Sequence, residues 1–495
     1  MPKPIIYNFD NGATLIYQKQ KEFDGAEFSI GFRGGAQLDG KYTGLSHLLE
    51  HLLFRSPKED LGKNILDNIL KYTIDQNAET SEDYITVQFS AAKKHIDVAV
   101  KNCMDMICNK KFTPEQIARE ISVVKQEINI YKDKVAHTPD SAYKTFINAL
   151  TPKEVLGGDP SIDPVLGSAK TLAKITPEIL TKYVKRYFNT DNLIVSVTSN
   201  MSDNEIIKLV QEKILPRLSP AKDPAFIVGY PPEPIYNDMN ILVAQPQPNF
   251  STATVNILLK EREDQPEDPH KEYACDVMEE YLMNTIGGVL WDKLRVKKQL
   301  VYSYKLGSIY VGNRKYKCFS ATTNKQHLNQ TIKELCKTIK TLGEKGIPED
   351  DFKKVKSALI SQKAAELQRY TDCSANSNFL DYLYGDEFID YNLVSKNIAN
   401  MTYEEFNNNV TQVYKNANAS ILIDGGFESH NVPSIIDIEN MLGKHTNDAD
   451  RFKLNVPRVE VTPTTQLVVA EVGQPEINDI DAEVRDIDDE VIMIK

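Results

Sequence analysis

The chain has 495 residues, with 58 Lys and Arg against 70 Asp and Glu and a formal net charge of −12. Because single hydrophobic cores stop growing at roughly 250–300 residues, this length predicts at least two domains. The acidic balance argues against nucleic acid as the main partner, since phosphate binding requires an excess of Lys and Arg on some face. Hydrophobic residues make up 41% of the chain, which argues against extensive disorder.

No stretch of the sequence approaches the roughly 18 consecutive apolar residues that a membrane-spanning helix needs. The start, Met1 to Pro4, has no signal-peptide core. The six cysteines are scattered and form no C-x-x-C pair, as expected of free thiols in a reducing compartment. We therefore predict a cytoplasmic protein that binds neither nucleic acid nor membrane.

Apolar periodicity in the first half predicts strands and helices without a regular alternation. A hairpin with its turn signal at 10–12 comes first, followed by a strand at 27–33. A helix is predicted over 43–54, with Thr43 as its N-cap. Further helices are predicted at 64–71, 93–109, 114–133 and 176–187, and further strands at 84–89 and 193–198. The irregular order favours an α+β fold over a doubly wound sheet.

The second half resembles a copy of the first. Pro348-Glu349 opens a charged helix 234 residues after Pro114-Glu115 does. A helix followed by a strand, beginning near Met401, repeats a similar pair beginning near Ile175 at an offset of 226. Two similar offsets predict a tandem duplication of one α+β unit of about 220 residues.

These patterns predict two homologous mixed α/β sandwich-like domains and a tail. The N-terminal domain is expected over 1–215 and the C-terminal domain over 235–445. Dense prolines over 216–234 predict a linker between them. Residues 446–495 hold twelve acidic and five basic side chains, which predicts a flexible acidic tail.

The segment His47-Leu48-Leu49-Glu50-His51 carries the strongest chemical signal. At 100° per residue, both imidazoles and the Glu50 carboxylate share one helix face within an arc of roughly 100°. Two neutral imidazoles four residues apart can bind one Zn²⁺, and an adjacent carboxylate can take a proton from water at the metal. In a chain with 8 histidines the pattern arises by chance in roughly one sequence in a hundred, so we interpret it as a zinc motif.

A catalytic zinc site needs a third protein ligand and leaves the fourth position to water. The helix predicted over 114–133 offers Glu120 and Glu127, which are seven residues apart and so about 20° out of register on nearly the same face. Apolar neighbours such as Val123 and Val124 indicate a substantially buried helix, where an unpaired carboxylate is costly. One of the two glutamates is therefore a candidate ligand, and periodicity does not choose between them.

His-x-x-Glu-His is the inverted zinc motif. Followed by a Glu about 76 residues later, it resembles the pitrilysin family, which includes insulin-degrading enzyme and the mitochondrial processing peptidase. The resemblance implies a zinc metalloendopeptidase in which His47, His51 and Glu127 bind zinc and Glu50 is the general base. It also implies that Glu120 orients a ligand histidine. The resemblance extends from about residue 5 to residue 445.

Two further segments resemble substrate-binding motifs of that family. Asn77-Ala78-Glu79-Thr80 is similar to its Asn-Ala-x-Thr segment, placed just before an edge strand to which an extended peptide adds as another strand. Leu294-Arg295 and Leu300–Ser303 resemble its Arg/Tyr motif, which implies that Arg295 and Tyr302 reach the substrate backbone near the scissile bond. Taken alone, the first segment is an ordinary loop and the second a basic helix end. The family usually has Gly where this chain has Gln299, which puts the local loop geometry in question.

The family's long members hold four such domains around a chamber, whereas this chain holds two. The resemblance therefore implies a homodimer in which Arg295 and Tyr302 of one subunit complete the active site of the other. Each chain would bind one zinc ion and cleave unfolded peptides or flexible segments, because folded proteins would not fit the chamber. Two alternatives stay open: a catalytically inactive assembly subunit of the same fold, and a processing peptidase that needs a different partner chain. A di-iron site is disfavoured, since such bundles use Glu-x-x-His pairs.

Overall fold

The computed structural model describes residues 3–21, 23–54, 71–108, 111–134, 165–220, 241–246, 250–260, 269–283, 288–311, 314–369, 375–385, 388, 391–428, 432–443 and 468–469. Most of the predicted helix at 64–71, most of the predicted linker at 216–234 and all but two residues of the acidic tail lie outside these residues. None of the helices in the described part of the chain combines the length and apolar content that crossing a membrane requires.

The first half folds around a six-stranded sheet in the order β1-β2-β6-β3-β5-β4. The strands are β1 Ile5–Asn8, β2 Thr14–Lys19, β3 Gly25–Arg33, β4 Asp75–Thr80, β5 Tyr84–Ala92 and β6 Leu193–Ser199. The helices are α1 Leu45–Leu53, α2 Ile96–Ile107, α3 Pro114–Lys134, α4 Ala169–Leu172, α5 Pro177–Tyr187 and α6 Asp203–Leu209. Phe28, Ile30 and Phe32 alternate along β3 and share the face that lies in the main buried core of this half.

The second half has a sheet of its own in the order β12-β7-β11-β8-β10-β9. The strands are β7 Ile241–Pro246, β8 Thr252–Lys260, β9 Val301–Val311, β10 Arg314–Asn324, β11 Asn418–Gly425 and β12 Val468–Val469. The helices are α7 Pro269–Met283, α8 Leu328–Lys345, α9 Glu349–Arg369, α10 Ala375–Tyr384, α11 Tyr391–Asn400, α12 Tyr403–Asn416 and α13 Ile435–Leu442.

The two sheets have one topology. Each has a single parallel pair, β2 with β6 in the first and β7 with β11 in the second, and antiparallel partners elsewhere. The order confirms the predicted fold class of two homologous mixed α/β units, while the predicted domain boundaries stay predictions. The edge position that β1 takes in the first sheet is taken in the second by β12, which comes from the acidic tail.

Helix α10 belongs to the second half by sequence but covers the outer face of the first sheet. Phe379 is fully buried in a cluster with Ile16, Tyr84 and Ile194. The Asn378 side-chain amide donates a hydrogen bond of 2.6 Å to the Gln18 side-chain oxygen in a buried position. The two halves are therefore joined by a packed interface as well as by the chain.

The helix that carries the His-x-x-Glu-His motif begins differently from the prediction. Thr43 is not its N-cap: the helix starts at Leu45, and the cap position belongs to Gly44 in a left-handed conformation with φ of 90°. The capping oxygens come from Asp39, which is buried and accepts hydrogen bonds of 3.0 Å from the backbone N–H groups of Gly44 and Ser46. A side chain five residues upstream thus satisfies the first N–H groups of α1.

The start of α1 is also held by a close backbone contact. Gly167 has φ of +67°, and a Cβ at this position would lie 2.1 Å from the Thr43 carbonyl oxygen and 2.9 Å from the Gly44 Cα. Two glycines therefore let the segment before α4 lie directly against the N-terminus of the motif helix.

We predict that Gly167→Ala lowers the stability of the first half by at least about 1 kcal/mol, because a positive φ and a backbone clash both oppose the new methyl group. Thermal unfolding followed by circular dichroism would measure the fall in midpoint. Gly307→Ala is the matched control, since its added Cβ would have no neighbour within 4 Å and its φ is not positive. Equal midpoints for Gly167→Ala and the wild type would contradict the prediction.

Candidate metal centre

The two motif histidines lie side by side on the partly exposed face of α1. Their ring centroids are 4.8 Å apart with an interplanar angle of 81°, and their side chains are 13% and 16% exposed. The opposite face of the helix is apolar and buried, through Leu48, Leu49 and Leu52. Burial of these leucines fixes the rotation of the helix, and with it the direction of both imidazoles.

Glu127 on α3 faces both histidines. Its Oε2 lies 3.7 Å from the Nε2 of His47 and 3.5 Å from the Nε2 of His51. One ligand atom from each of the three residues can be chosen so that all lie within 4.8 Å of one another. In the described part of the chain, this is the one group of His, Cys, Asp or Glu side chains so arranged. Two imidazole nitrogens and a carboxylate oxygen at this spacing fit the donor set of a catalytic zinc site.

Glu120 lies one heptad earlier on α3 and approaches the other nitrogen of His51. Its Oε2 is 3.6 Å from the Nδ1 of His51, and its side chain is only 4% exposed. A carboxylate at Nδ1 favours the tautomer in which Nδ1 carries the proton and Nε2 keeps its lone pair for a metal. The structure thus separates the two glutamates that periodicity left equivalent.

The structure also corrects the expected burial of α3, because Val124 is buried whereas Val123 is 37% exposed.

Glu50 lies next to this cluster and bonds to the neighbouring strand. Its Oε2 accepts a hydrogen bond of 2.7 Å from the Thr80 hydroxyl. Burial raises the pKa of Glu50, partly offset by the hydrogen bond from Thr80 and by the proximity of His51. The bond to Thr80 thus restrains the direction of the Glu50 carboxylate.

The predicted peptide-binding segment is itself the edge strand. Asn77 and Ala78 lie within β4, at the end of the first sheet, where Asn77 pairs with Gln88 and Ala78 with Val87 of β5. The predicted placement just before an edge strand is therefore wrong, because the segment forms the edge strand itself. Thr80, which ends β4, joins this edge to Glu50.

The structure does not bring Arg295 and Tyr302 into the cluster around His47. Arg295 lies in a π-helical turn, Trp291–Lys297, and its guanidinium carbon is 4.7 Å from the centroid of the Trp291 ring. Tyr302 lies in β9 and is 58% exposed. Both belong to the second sheet and its connections.

Sequence reasoning missed Asp39 and the role of Thr80. Burial raises the pKa of Asp39 to about 8, partly offset by hydrogen bonds from Ser46, Leu45 and Gly44. Asp39 gave no periodic signal, because it lies in a turn before the helix. Thr80 was visible as the last residue of the Asn-Ala-x-Thr segment, but its bond to Glu50 depends on tertiary packing.

The second half places a buried lysine beside the residue that corresponds to Thr80 of the first half. Lys317 on β10 is 4% exposed and its ammonium donates to Glu279 of α7 and to the Ser308 hydroxyl, both at 2.9 Å. Ser308 pairs with Lys317 across β9 and β10 as Thr80 pairs with Ile85 across β4 and β5. Along the strand registers, Ile85 lies level with Leu193 of β6, and Lys317 lies level with Ala419 of β11. Leu193 and Ala419 are 226 residues apart, which is the offset of the sequence repeat. The two pairs are therefore equivalent.

Comparison with known families places this geometry in context. Residues 15–155 match the family described as "Insulinase (Peptidase family M16)", and residues 174–359 match "Peptidase M16 inactive domain". The chain belongs to the M16 peptidase family. This confirms the resemblance to the pitrilysin family that the zinc motif indicated.

Relatives and solved structures agree with this assignment. The "Uncharacterized zinc protease YmxG" of Bacillus subtilis is 25% identical over 201 residues, 40% of this chain and 47% of that protein. The "Cytochrome b-c1 complex subunit 1, mitochondrial" of Bos taurus is 19% identical over 234 residues, 45% of this chain and 47% of that protein. The match thus spans about half the length of these curated M16 relatives.

Two solved structures share the fold. A Helicobacter pylori protease has a TM-score of 0.65 and 17% identity, covering 85% of this chain and 99% of that one. The first half of the Escherichia coli periplasmic protease PqqL has a TM-score of 0.67 and 14% identity, covering 90% of this chain and 98% of that one. At these identities the likeness shows the M16 fold.

We predict that the two glutamates of α3 differ in their effect on zinc affinity. Glu127→Gln should abolish stoichiometric binding, because it removes a candidate ligand charge, whereas Glu120→Gln should weaken binding by about 10–100-fold. Zinc titration of chelator-stripped protein against a competing indicator would measure both. Glu115→Gln, on the exposed first turn of the same helix, is the control. A larger loss for Glu120→Gln than for Glu127→Gln would reverse the assignment.

Proposed function

We propose that the protein is a zinc-dependent metalloendopeptidase that hydrolyses peptide bonds in unfolded peptides or flexible segments. The observation that carries the proposal is the convergence of His47, His51 and Glu127, with the Glu50 carboxylate beside them on the same helix face. The three side chains would hold one zinc ion per chain. Homologues named zinc proteases support the same activity.

The residues divide the chemical work of hydrolysis. Zinc, when bound, supplies a Lewis acid that lowers the pKa of a water molecule and polarises the scissile carbonyl. Glu50 takes the proton of the attacking water and then delivers it to the leaving amine nitrogen. Thr80 holds one oxygen of Glu50 and so directs the other toward the reacting atoms. Glu120 keeps the proton of His51 on Nδ1.

The substrate would bind as an added strand. β4 lies at the edge of the first sheet and Thr80 at its end contacts the general base, so a peptide paired along β4 would lead to Glu50. Backbone pairing at Asn77 and Ala78 makes little demand on sequence, which suits an enzyme for varied unfolded peptides. Arg295 and Tyr302 would contact the peptide backbone near the scissile bond, where a guanidinium and a phenol suit a developing negative charge.

We propose that two copies of this chain enclose a chamber as a homodimer, with Arg295 and Tyr302 of one subunit serving the zinc site of the other. A cytoplasmic location is part of the proposal, supported by the scattered cysteines, which form no C-x-x-C pair. Cell fractionation tests the location, because a structural neighbour is a periplasmic protease.

The second candidate function is a catalytically inactive subunit of an assembly. Two findings favour it: residues 174–359 match a domain described as inactive, and a relative is a cytochrome b-c1 complex subunit. The intact cluster in the first half favours the peptidase, because buried Glu120 and clustered ligands are costly to keep without a function.

The peptidase proposal predicts that Glu50→Gln lowers the cleavage rate by at least about 10²–10⁴-fold while zinc content stays unchanged, because only the general base is removed. Mass spectrometry of a mixture of unstructured peptides, with metal analysis of both proteins, would measure this. Glu115→Gln serves again as control and should cleave like the wild type. Absence of both zinc and cleavage in the wild type would favour the inactive subunit.

The homodimer proposal predicts complementation between two inactive chains. Glu50→Gln lacks the base and Arg295→Ala lacks the substrate contact, so a mixed dimer would hold one complete site. Random exchange of subunits between equal amounts of the two variants should restore about a quarter of wild-type activity. Half of the dimers are then mixed, and each mixed dimer has one complete site out of two. Each variant mixed with itself is the control. The contrary outcome is an activity that stays unchanged on mixing although differently tagged subunits show that exchange has occurred. In that case Arg295 either serves the site of its own chain or lies outside the active site, and the homodimer proposal fails.

A further inference from the structure

The segment 291–302, called here the Arg/Tyr segment, has an unusual backbone. It begins with a π-helical turn and contains Gln299 with φ of 52°, the one non-glycine residue with positive φ in the described part of the chain. L side chains rarely adopt this conformation, so neighbouring contacts must hold it. The Leu300 N–H donates to the Leu294 carbonyl at 2.8 Å, and the Thr323 hydroxyl donates to the Leu300 carbonyl at 2.6 Å.

A buried carboxylate of α8 binds this segment on both sides of Arg295. Glu334 is 7% exposed. The Lys293 ammonium lies 3.3 Å from its Oε2, and the Lys298 ammonium donates a hydrogen bond to its Oε1. Lys293 also donates to the Thr338 hydroxyl at 3.0 Å, one turn further along α8. Two lysines of one short segment thus converge on one helix.

Burial distinguishes these ion pairs from an ordinary surface pair in the same segment. The Glu334 side chain is 9% exposed and its partners Lys293 and Lys298 are 26% and 37% exposed, whereas Asp292 and Lys297 of the surface pair are 44% and 69% exposed. Surface pairs contribute little because water screens both charges, whereas a carboxylate with little access to water depends more strongly on its ammonium partners. Burial alone would raise the pKa of Glu334, but the hydrogen bond from Lys298 and the nearby Lys293 ammonium lower it, so the carboxylate stays ionised.

We propose that Glu334 is a positioning residue for peptide hydrolysis: through Lys293 and Lys298 it fixes the Arg/Tyr segment, and hence the directions of Arg295 and Tyr302. Glu334 lies on α8, outside the segment that touches the peptide, and acts through the two lysines that flank Arg295. Stacking of Arg295 on Trp291 completes the arrangement within the segment. The inference rests on the proposed peptidase function.

Glu334→Gln in the zinc-loaded full chain is the direct test. It should lower kcat/KM for an unstructured peptide by roughly 10- to 100-fold, as expected for a misplaced binding group, with zinc content unchanged. In a chain that already carries Arg295→Ala and Tyr302→Phe, adding Glu334→Gln should cost no further activity, because the anchor acts only through these two side chains. Additive losses would show general destabilisation and overturn the proposal.

Glu439→Gln is the matched control, because Glu439 is a second buried glutamate of the same half, on α13. It should leave kcat/KM within about twofold of the wild type at a temperature well below unfolding. A loss equal to that of Glu334→Gln would count against a specific anchor. If Glu334→Gln does not fold, Lys298→Met keeps Glu334 paired with Lys293 and should give a smaller loss in the same direction.

Trp291 provides a readout that does not depend on catalysis, since it is the single tryptophan of the chain. Acrylamide quenching of its fluorescence should increase in Glu334→Gln and stay unchanged in Glu439→Gln, because release of the segment exposes the ring. Unchanged quenching in both variants would overturn the proposal that Glu334 anchors the Arg/Tyr segment. If the wild type neither binds zinc nor cleaves peptides, the proposed function fails, and the quenching result still decides whether Glu334 holds the segment.

Discussion

Three carboxylates and two imidazoles meet between α1 and α3, which concentrates negative charge at one point of the first half. Glu127 lies within 3.7 Å of both Nε2 atoms and Glu120 within 3.6 Å of one Nδ1, while burial and the proximity of Glu127 and Glu79 raise the pKa of Glu50. Like charges in one place oppose one another unless a positive group neutralises them. A divalent ion at the point where the three ligand atoms converge would do so, and it would then be part of the electrostatic balance of the domain.

The geometry of this centre depends on contacts between α1 and several other parts of the first half. Asp39 and Gly167 fix the start of α1, the leucines of its inner face fix its rotation, and Thr80 ties Glu50 to the edge strand. Each of these contacts joins α1 to a different element of the sheet or its connections. The direction in which the imidazoles point is therefore decided by the packing of the whole first half.

Much of the fold and the composition of the site could be predicted from local patterns, because periods of 2 and 3.6 residues report directly on which face is buried. The patterns failed where tertiary contacts decided the outcome. Thr43 looked like a cap, but Asp39 caps α1 from a turn. Glu120 and Glu127 share a face of α3, and only the packing of α3 on α1 shows which one lies opposite Nε2. Taken alone, the segment of Asn77 and Ala78 looked like a loop, because the polar residues of β4 lack the apolar alternation that signals a strand, and only the pairing with β5 shows it to be one.

The two halves carry different chemistry beside equivalent strand positions. In the second half, Glu279 is paired with an ammonium group that is part of the polypeptide. The second half therefore carries its counter-charge from the moment it is synthesised. In the first half, His47, His51 and Glu127 present a donor set that an ion from solution would complete, and only after folding has brought α1 and α3 together. Under the proposed metal binding, duplication of one unit has produced one half whose completion depends on metal supply and another that is indifferent to it.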